Sequence, residues 1–143
     1  MRVLLDTHAL LWHLADDPQL SAPARAAIDD PGNEVYVSAA SAWEVLTKYH
    51  AFDAKGRRKL PNIGALAVDF TREILASGWH PLAVTTEHGQ SVGALPLHHR
   101  DPFDRMLVAQ ALAERMPIVS NEALFDAYGV ARIWEPPRSG RDA

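Results

Sequence analysis

Short apolar runs alternate along the chain with longer segments of helical periodicity. The runs are rich in Val, Leu and Ile, which is typical of strands that are buried on both faces of a parallel sheet. The segments between them are long enough to return the chain to the same edge of the sheet. The pattern predicts strands over 3–5, 35–37, 82–84, 118–120 and 132–134, and helices over 9–14, 22–30, 38–50, 62–77, 86–93, 101–115 and 122–128.

Cap and turn residues mark the ends of these elements. Ser21 before Ala22-Pro23 suits a helix N-cap with proline in the first turn, and Pro31-Gly32 ends that helix. Strands that alternate with helices predict one three-layer α/β/α domain with a central parallel sheet of about five short strands. We expect this domain to span residues 1–135, with a flexible C-terminal tail over 136–143 and an exposed turn over 53–59.

Composition limits the classes of chemistry available to the chain. Its 143 residues, 48% of them hydrophobic, are enough for one domain with a real core. The 14 Lys and Arg against 18 Asp and Glu give a formal charge of -4, so any contact with nucleic acid must be local. The absence of cysteine excludes disulfide scaffolds, thiolate metal sites and cysteine nucleophiles.

The first apolar run ends at Asp6 after three residues, which is far short of a signal-peptide core. The chain has no stretch near the roughly 20 apolar residues that a membrane span needs. We therefore expect a soluble, cytoplasmic protein without a membrane partner.

Four acidic residues stand close to strand ends, where ligands bind in sheets of this kind. Asp6 follows the first strand, and Glu44 lies on the helix after the second strand. Asp104 lies in the first turn of the helix that leads to the fourth strand, and Glu122 follows that strand. We expect the four carboxylates to converge on one edge of the sheet.

Carboxylates that share a site repel one another, and a cation is the usual means of neutralising them. Hard oxygen ligands suit Mg²⁺ or Mn²⁺, which proteins hold through a few carboxylates and a substrate phosphate. Such an ion lowers the pKa of water for in-line attack on phosphorus and stabilises charge on the leaving oxygen. The constellation therefore predicts metal-dependent hydrolysis of a phosphodiester.

Each acid also has a purely structural interpretation, which stays open. Asp101 directly precedes a proline and is a good N-cap, and Asp104 favours the dipole of the same helix. Glu44 has the spacing for an ion pair with a lysine one turn later, and Glu122 suits the cap of its short helix. Asp6 is harder to explain in this way, because a charged residue at the end of a buried strand costs free energy unless it has a partner.

The histidines and basic residues near these acids carry weaker signals. His98 and His99 fit no standard zinc spacing and are expected to be solvated. His8, two residues after Asp6, is a candidate contact to substrate or simply a polar residue at a helix start. A basic turn is a candidate phosphate contact or a solvated turn, and it comprises Lys55, Arg57, Arg58 and Lys59.

Four segments, in this order, resemble the PIN-domain ribonucleases, and specifically the VapC-type toxins of bacterial toxin-antitoxin pairs. The resemblance spans nearly the whole chain, and its strongest parts are the first and third segments. The segments read LLDTHALLW over 4–12, SAASAWE over 38–44, DPFDRMLVAQA over 101–111 and IVSNEALF over 118–125.

The resemblance assigns a role to each acid. Asp6, Glu44 and Asp104 fall on the family's acidic metal positions, with Asp101 nearby as a helper. The fourth position is usually aspartate, and the chain departs from the family there with the longer Glu122.

The resemblance also implies a substrate and partners. Ser120 matches a small hydroxyl residue that orients water or phosphate. The implied activity is Mg²⁺- or Mn²⁺-dependent endoribonucleolytic cleavage of structured RNA by a homodimer, which a small cognate antitoxin neutralises.

Other classes of function are weaker but open. A phosphatase of the haloacid dehalogenase type expects a second aspartate two residues after the first, where this chain has His8. The chain lacks the glycine-rich loops that bind nucleotide phosphates. A DNA-directed 5′ nuclease uses similar acids but usually needs more chain, and a catalytically inactive RNA- or partner-binding module is the alternative outside enzymes.

Overall fold

The structure of this protein is a computed structural model, which describes residues 1–50, 55–57 and 63–135. Within these ranges, five parallel strands alternate with helices, which confirms the predicted fold class. The strands are β1 Arg2–Leu5, β2 Glu34–Ser38, β3 His80–Leu82, β4 Ile118–Val119 and β5 Arg132–Ile133. The helices are α1 Thr7–Leu14, α2 Ala22–Asp29, α3 Ala39–Tyr49, α4 Gly64–Val68, α5 Phe70–Ala76, α6 Thr86–Ala94 and α7 Pro102–Glu114, with a 3₁₀ helix over Ala123–Tyr128.

The central strand is β1, which is buried on both faces of the sheet. Val3 and Leu5 pack into one layer of the core, whereas Leu4 packs into the other. Both layers exclude water because helices cover both faces, and this explains the continuous apolar run in the sequence. The first layer includes residues of α1, α2, α4 and α5, and the second includes residues of α7 and the 3₁₀ helix.

The strand order is β3-β2-β1-β4-β5. In chain order, β2 and β3 lie on one side of β1, and β4 and β5 follow on its other side. The order therefore reverses between β1 and β4, and the carboxyl ends of these two strands border the crevice where ligands bind in such sheets.

The prediction of one helix over 62–77 is wrong for the described residues from 63 onward. Asp69 has an extended backbone (φ -152°, ψ 90°) and divides the segment into α4 and α5. Its side chain accepts a hydrogen bond from the backbone N–H of Arg72, so it is the N-cap of α5. Residue 62 lies outside the described residues.

The third strand lies two residues earlier than predicted. His80 pairs with Tyr36 and Leu82 with Ser38, and the strand includes Pro81. Proline is tolerated there because β3 is an edge strand and has a neighbour on one side only. The expected tail over 136–143 and most of the expected turn over 53–59 lie outside the described residues, whereas 55–57 are described and exposed.

Candidate active site

Asp6 and Ser120 leave the sheet side by side, at the point where the strand order reverses. Leu5 pairs with Val119, and the backbone N–H of Asp6 donates to the carbonyl of Val119 over 3.1 Å. The buried hydroxyl of Ser120 forms a hydrogen bond with the Asp6 carboxylate and accepts one from the backbone N–H of Glu122. Ser120 thus fixes Asp6 from within the protein, and the side chain of Ser120 is not exposed to solvent.

The Asp6 side chain is also the N-cap of α1. Its Oδ1 accepts a hydrogen bond of 2.7 Å from the backbone N–H of Ala9, so β1 is joined to α1 by one residue and not by the loop that the sequence predicted. Burial raises the pKa of Asp6, and the negative charge of Glu44 acts in the same direction. The hydrogen bonds from Ser120 and Ala9 only partly oppose this effect. The site therefore holds a carboxylate whose negative charge it does not fully compensate.

Glu44 projects from α3 into the same region and is 5% exposed. Its Oε2 lies 2.7 Å from Nζ of Lys48, one helical turn later, as the spacing in the sequence allows. Its Oε1 is buried and has no hydrogen-bond partner among the described residues. A buried carboxylate oxygen without a donor is costly, so this oxygen marks a place for a positively charged ligand.

Two buried hydrogen bonds hold the helices that carry these acids. Ser38 is the N-cap of α3, and its hydroxyl donates to Oε1 of Gln110 on α7. Thr7 on α1 donates to the hydroxyl of Ser41 on α3 over 3.1 Å. Sequence reasoning missed both pairs as parts of the site. One signal was available, because Gln110 interrupts an otherwise apolar stretch of α7.

Asp104 lies in the first turn of α7 and faces the other acids. Its pKa is raised to about 7, chiefly by burial and in addition by the negative charges of Asp101, Asp6 and Glu44. The nearby ring of His99 acts in the opposite direction. The structure therefore brings Asp6, Glu44 and Asp104 together, and their repulsion is what a bound cation would relieve.

His99 lies against this cluster, whereas the sequence predicted a solvated side chain. Its Nε2 is 3.0 Å from Oδ2 of Asp104 and 3.6 Å from Oε2 of Glu122. Its Nδ1 accepts a hydrogen bond from the backbone N–H of Asp101 over 3.1 Å. Because a backbone N–H can only donate, Nδ1 is unprotonated and Nε2 carries the proton of the neutral ring. The proton-bearing Nε2 of His99 therefore lies close to both carboxylates, although it makes no hydrogen bond among the described residues.

Two side chains from elsewhere in the sequence, Arg105 and Tyr128, hold the loop that carries His99. The Tyr128 hydroxyl accepts hydrogen bonds from the backbone N–H groups of His98 and His99, at 3.1 and 2.8 Å. The His99 ring also packs against Phe125, with 5.9 Å between ring centroids. The guanidinium of Arg105 donates to the carbonyls of Val92, Leu95, Pro96 and His99.

The other predicted site residues occupy the margin of the cluster. Asp101 is the N-cap of α7, and its Oδ1 accepts from the backbone N–H groups of Phe103 and Asp104. Glu122 caps the 3₁₀ helix through Oε1, while its Oε2 faces His99. Both residues therefore have the capping roles that the sequence left open.

His8 and the basic turn lie further from the carboxylates. His8 is exposed in the first turn of α1 and stacks on Trp12, with ring centroids 5.4 Å apart. The described part of the basic turn includes Lys55 and Arg57, which are exposed, whereas Arg58 and Lys59 lie outside the described residues.

The donor set fits a hard divalent cation. Asp6, Glu44 and Asp104 offer carboxylate oxygens only, which suits Mg²⁺ or Mn²⁺. A second group, His99, Asp104 and Glu122, has ligand atoms within 4.8 Å of one another. There the proton on Nε2 of His99 occupies the position that a metal would need, so the first group is the better cation site.

The family model of the PIN domain matches residues 3–131, and the chain belongs to the PIN domain family. This confirms the family expected from the four segments. No curated protein matches the chain significantly in sequence.

Solved structures of other proteins share the fold across almost the whole chain. VapBC2 from Rickettsia felis, bound to a DNA fragment from its promoter, matches with a TM-score of 0.67 at 15% identity, over 94% of this chain and 100% of that chain. FitAB bound to an IR36 DNA fragment matches with a TM-score of 0.65 at 19% identity, over 95% and 98%. VapBC-1 from nontypeable Haemophilus influenzae matches with a TM-score of 0.60 at 11% identity, over 92% and 96%.

In the described part of the chain, no helix combines the length and apolar character needed to cross a membrane.

Proposed function

We propose that this protein is a metal-dependent endoribonuclease that hydrolyses phosphodiester bonds of RNA and acts as the toxin of a toxin-antitoxin pair. The observation that carries the proposal is the buried, unpartnered Oε1 of Glu44 beside Asp6 and Asp104. In an apolar or purely structural site, a buried carboxylate oxygen without a hydrogen-bond donor costs free energy, whereas a bound cation would compensate its charge. Membership of the PIN domain family supports a nuclease.

Asp6, Glu44 and Asp104 would hold Mg²⁺ or Mn²⁺ through their carboxylates. When bound, the ion would neutralise the phosphodiester and supply an acidified water for hydrolysis. Ser120 holds Asp6 in place, and Asp101 holds the first turn of α7, on which Asp104 lies. Glu122 is the fourth acid of the proposed site.

Glu122 and His8 have indirect or peripheral roles in this proposal. Glu122 lies next to His99. We expect it to act on the site indirectly, through the His99 ring or through a water that bridges it to the ion. His8 is exposed on the first turn of α1, two residues after Asp6, and is available to RNA. Neither residue is needed to hold the ion in this proposal.

The structural comparisons support the toxin role. The named matches are complexes, VapBC2, FitAB and VapBC-1, and their fold extends over almost all of this chain. We infer a cognate small antitoxin as protein partner and a homodimer as the assembly. RNA as the substrate rests on the resemblance of the acidic segments to PIN-domain ribonucleases.

A catalytically inactive RNA- or partner-binding module is the second candidate. Glu122 stands where the family usually has aspartate, and the His99 ring already contacts both Asp104 and Glu122. A ring nitrogen that bears a proton therefore lies beside these two carboxylates without an ion. An inactive protein would bind RNA or its partner but would not turn RNA over.

Cleavage of an end-labelled pool of total RNA separates the two candidates. The purified protein is tested with Mg²⁺, with Mn²⁺ and with chelator, beside a folded Asp104→Asn variant. We expect cuts at a few positions that require metal and disappear in the variant. Equal cutting by the variant would refute the assigned site, and no cutting by folded protein under any metal would favour the inactive module.

A further inference from the structure

Trp43 on α3 is exposed to an extent that is unusual for its type. It exposes 68% of its surface, whereas tryptophan in folded proteins is highly buried on average. Its ring packs edge-to-face against Phe103 in the first turn of α7, with 5.0 Å between centroids and 72° between planes. The aromatic pair of Trp43 and Phe103 therefore spans the gap between the two helices.

The same two helices bring two of the acids together. Trp43 directly precedes Glu44, and Phe103 directly precedes Asp104. Glu44 is buried and close enough to Asp104 for its charge to act on that residue, whereas Trp43 is exposed. The aromatic pair thus lies on the solvent side of the gap in which the carboxylates meet.

Among the residues of α3, Trp43 is the one large hydrophobic residue that is exposed. In α3, all of whose residues are described, Ala39 and Thr47 lie one turn before and after Trp43 on the exposed side. A groove or face that receives a protein helix presents apolar anchors at several successive turns. An isolated pair of rings suits a flat ligand that stacks on one face.

Unpaired nucleobases are flat ligands of this kind, and proteins bind single-stranded RNA by stacking its bases on aromatic side chains. Lys48 lies one turn after Glu44, pairs with it over 2.7 Å and is about half exposed, so a positively charged side chain borders the gap. We propose that Trp43 and Phe103 form a stacking platform for an unpaired base of the RNA, next to the phosphodiester held at the carboxylate site. This inference rests on the proposed function and specifies the form of RNA that the site accepts.

The test measures RNA binding separately from cleavage. A fluorescein-labelled single-stranded oligoribonucleotide of mixed sequence is titrated into the full chain carrying Asp104→Asn, with Trp43→Ala, Trp43→Phe or Leu75→Ala added. Leu75→Ala is the matched control, because Leu75 is 58% exposed on α5. We expect Trp43→Ala to weaken binding about tenfold, Trp43→Phe to retain most of the affinity, and Leu75→Ala to leave it unchanged.

The melting temperature of each variant and its sedimentation velocity complete the experiment. Equal binding by Trp43→Ala, in a protein that otherwise binds and cleaves RNA, would overturn the platform and leave the proposed function standing. Unchanged RNA binding together with loss of self-association in Trp43→Ala would assign the rings to a protein contact instead. Failure of the parent variant to bind RNA, with no cleavage by the wild-type chain, would overturn both proposals.

Discussion

Nε2 of His99 lies 3.0 Å from Oδ2 of Asp104, while Nδ1 of the same ring accepts a hydrogen bond from the backbone of Asp101. The second contact fixes the tautomer, so the proton of the neutral ring is on Nε2, which lies close to the carboxylate without a hydrogen bond to it. We therefore expect His99 to be a positioning residue beside the proposed cation site and not a ligand of the ion. This distinction matters because the ring, Asp104 and Glu122 otherwise have the spacing of a metal site.

We predict that the neutral His99 ring carries its proton on Nε2, both without metal and with Mg²⁺. Long-range ¹H–¹⁵N correlation spectra of the imidazole nitrogens distinguish the two tautomers, and a His99→Gln variant assigns the signal. His98, its exposed neighbour, is the control because it lies outside the cluster. A proton on Nδ1 after addition of metal would show that Nε2 ligates the ion, and the tautomer argument would then be wrong.

The raised pKa of Asp104 predicts a pH dependence of stability in the absence of metal. Between the ordinary value of 3.8 and about 7, the folded protein binds a proton that the unfolded chain has released. Stability contributed by this site therefore falls as the pH rises through that window. Relative to Asp104→Asn, we expect the wild-type melting temperature to fall by about 5 °C between pH 5 and pH 8. If the melting temperatures of the two proteins changed equally with pH, the assigned repulsion between the carboxylates would be contradicted.

Asp6→Asn tests the same repulsion at a second position. Asparagine retains an oxygen that caps α1 at Ala9 but removes a buried charge beside Glu44. Without metal, the variant should melt at the wild-type temperature or up to a few degrees higher, and Mn²⁺ should stabilise it much less than the wild type. A large loss of melting temperature in chelator would instead identify Asp6 as a structural aspartate.

Lys48→Met should destabilise the metal-free protein by about 1–2 kcal/mol, because Glu44 would keep a buried charge with no cation nearby. The same variant should gain more stability from Mn²⁺ than the wild type does, since the ion would then supply all of the compensation. Thr47→Met is the matched control, as an exposed neighbour on the same helix. Chemical denaturation with and without Mn²⁺ gives the free energy of unfolding and its gain from the ion. Equal stability of the two variants would argue against a stabilising ion pair between Lys48 and Glu44.

Much of the fold follows from local chemistry. Ser21 caps α2, as its position before Pro23 predicts, and the apolar run at 3–5 forms the doubly buried strand β1. The segment at 62–77 could not be resolved from periodicity, because Asp69 begins a new helix without interrupting the apolar pattern. The offset of β3 arises from Pro81, which weakens the sequence signal for a strand but is accepted at an edge.

The candidate site was less predictable than the fold. The placement of Asp6, Glu44 and Asp104 near one edge follows from the strand-end rule and the order of elements. The role of His99 does not, because it depends on the backbone of Asp101 and on a loop held by Arg105 and Tyr128. Tertiary contacts of this kind leave no periodic signal in the sequence.

The central claim is that Asp6, Glu44 and Asp104 together hold one divalent cation. Anomalous diffraction from crystals soaked in Mn²⁺, recorded above and below the manganese absorption edge, locates the ion directly. We expect a peak within ligand distance of Oε1 of Glu44 and of the carboxylates of Asp6 and Asp104, and loss of the peak in Glu44→Gln. A peak bounded by His99 and Glu122, or no peak in crystals that bind Mn²⁺ elsewhere, would contradict it.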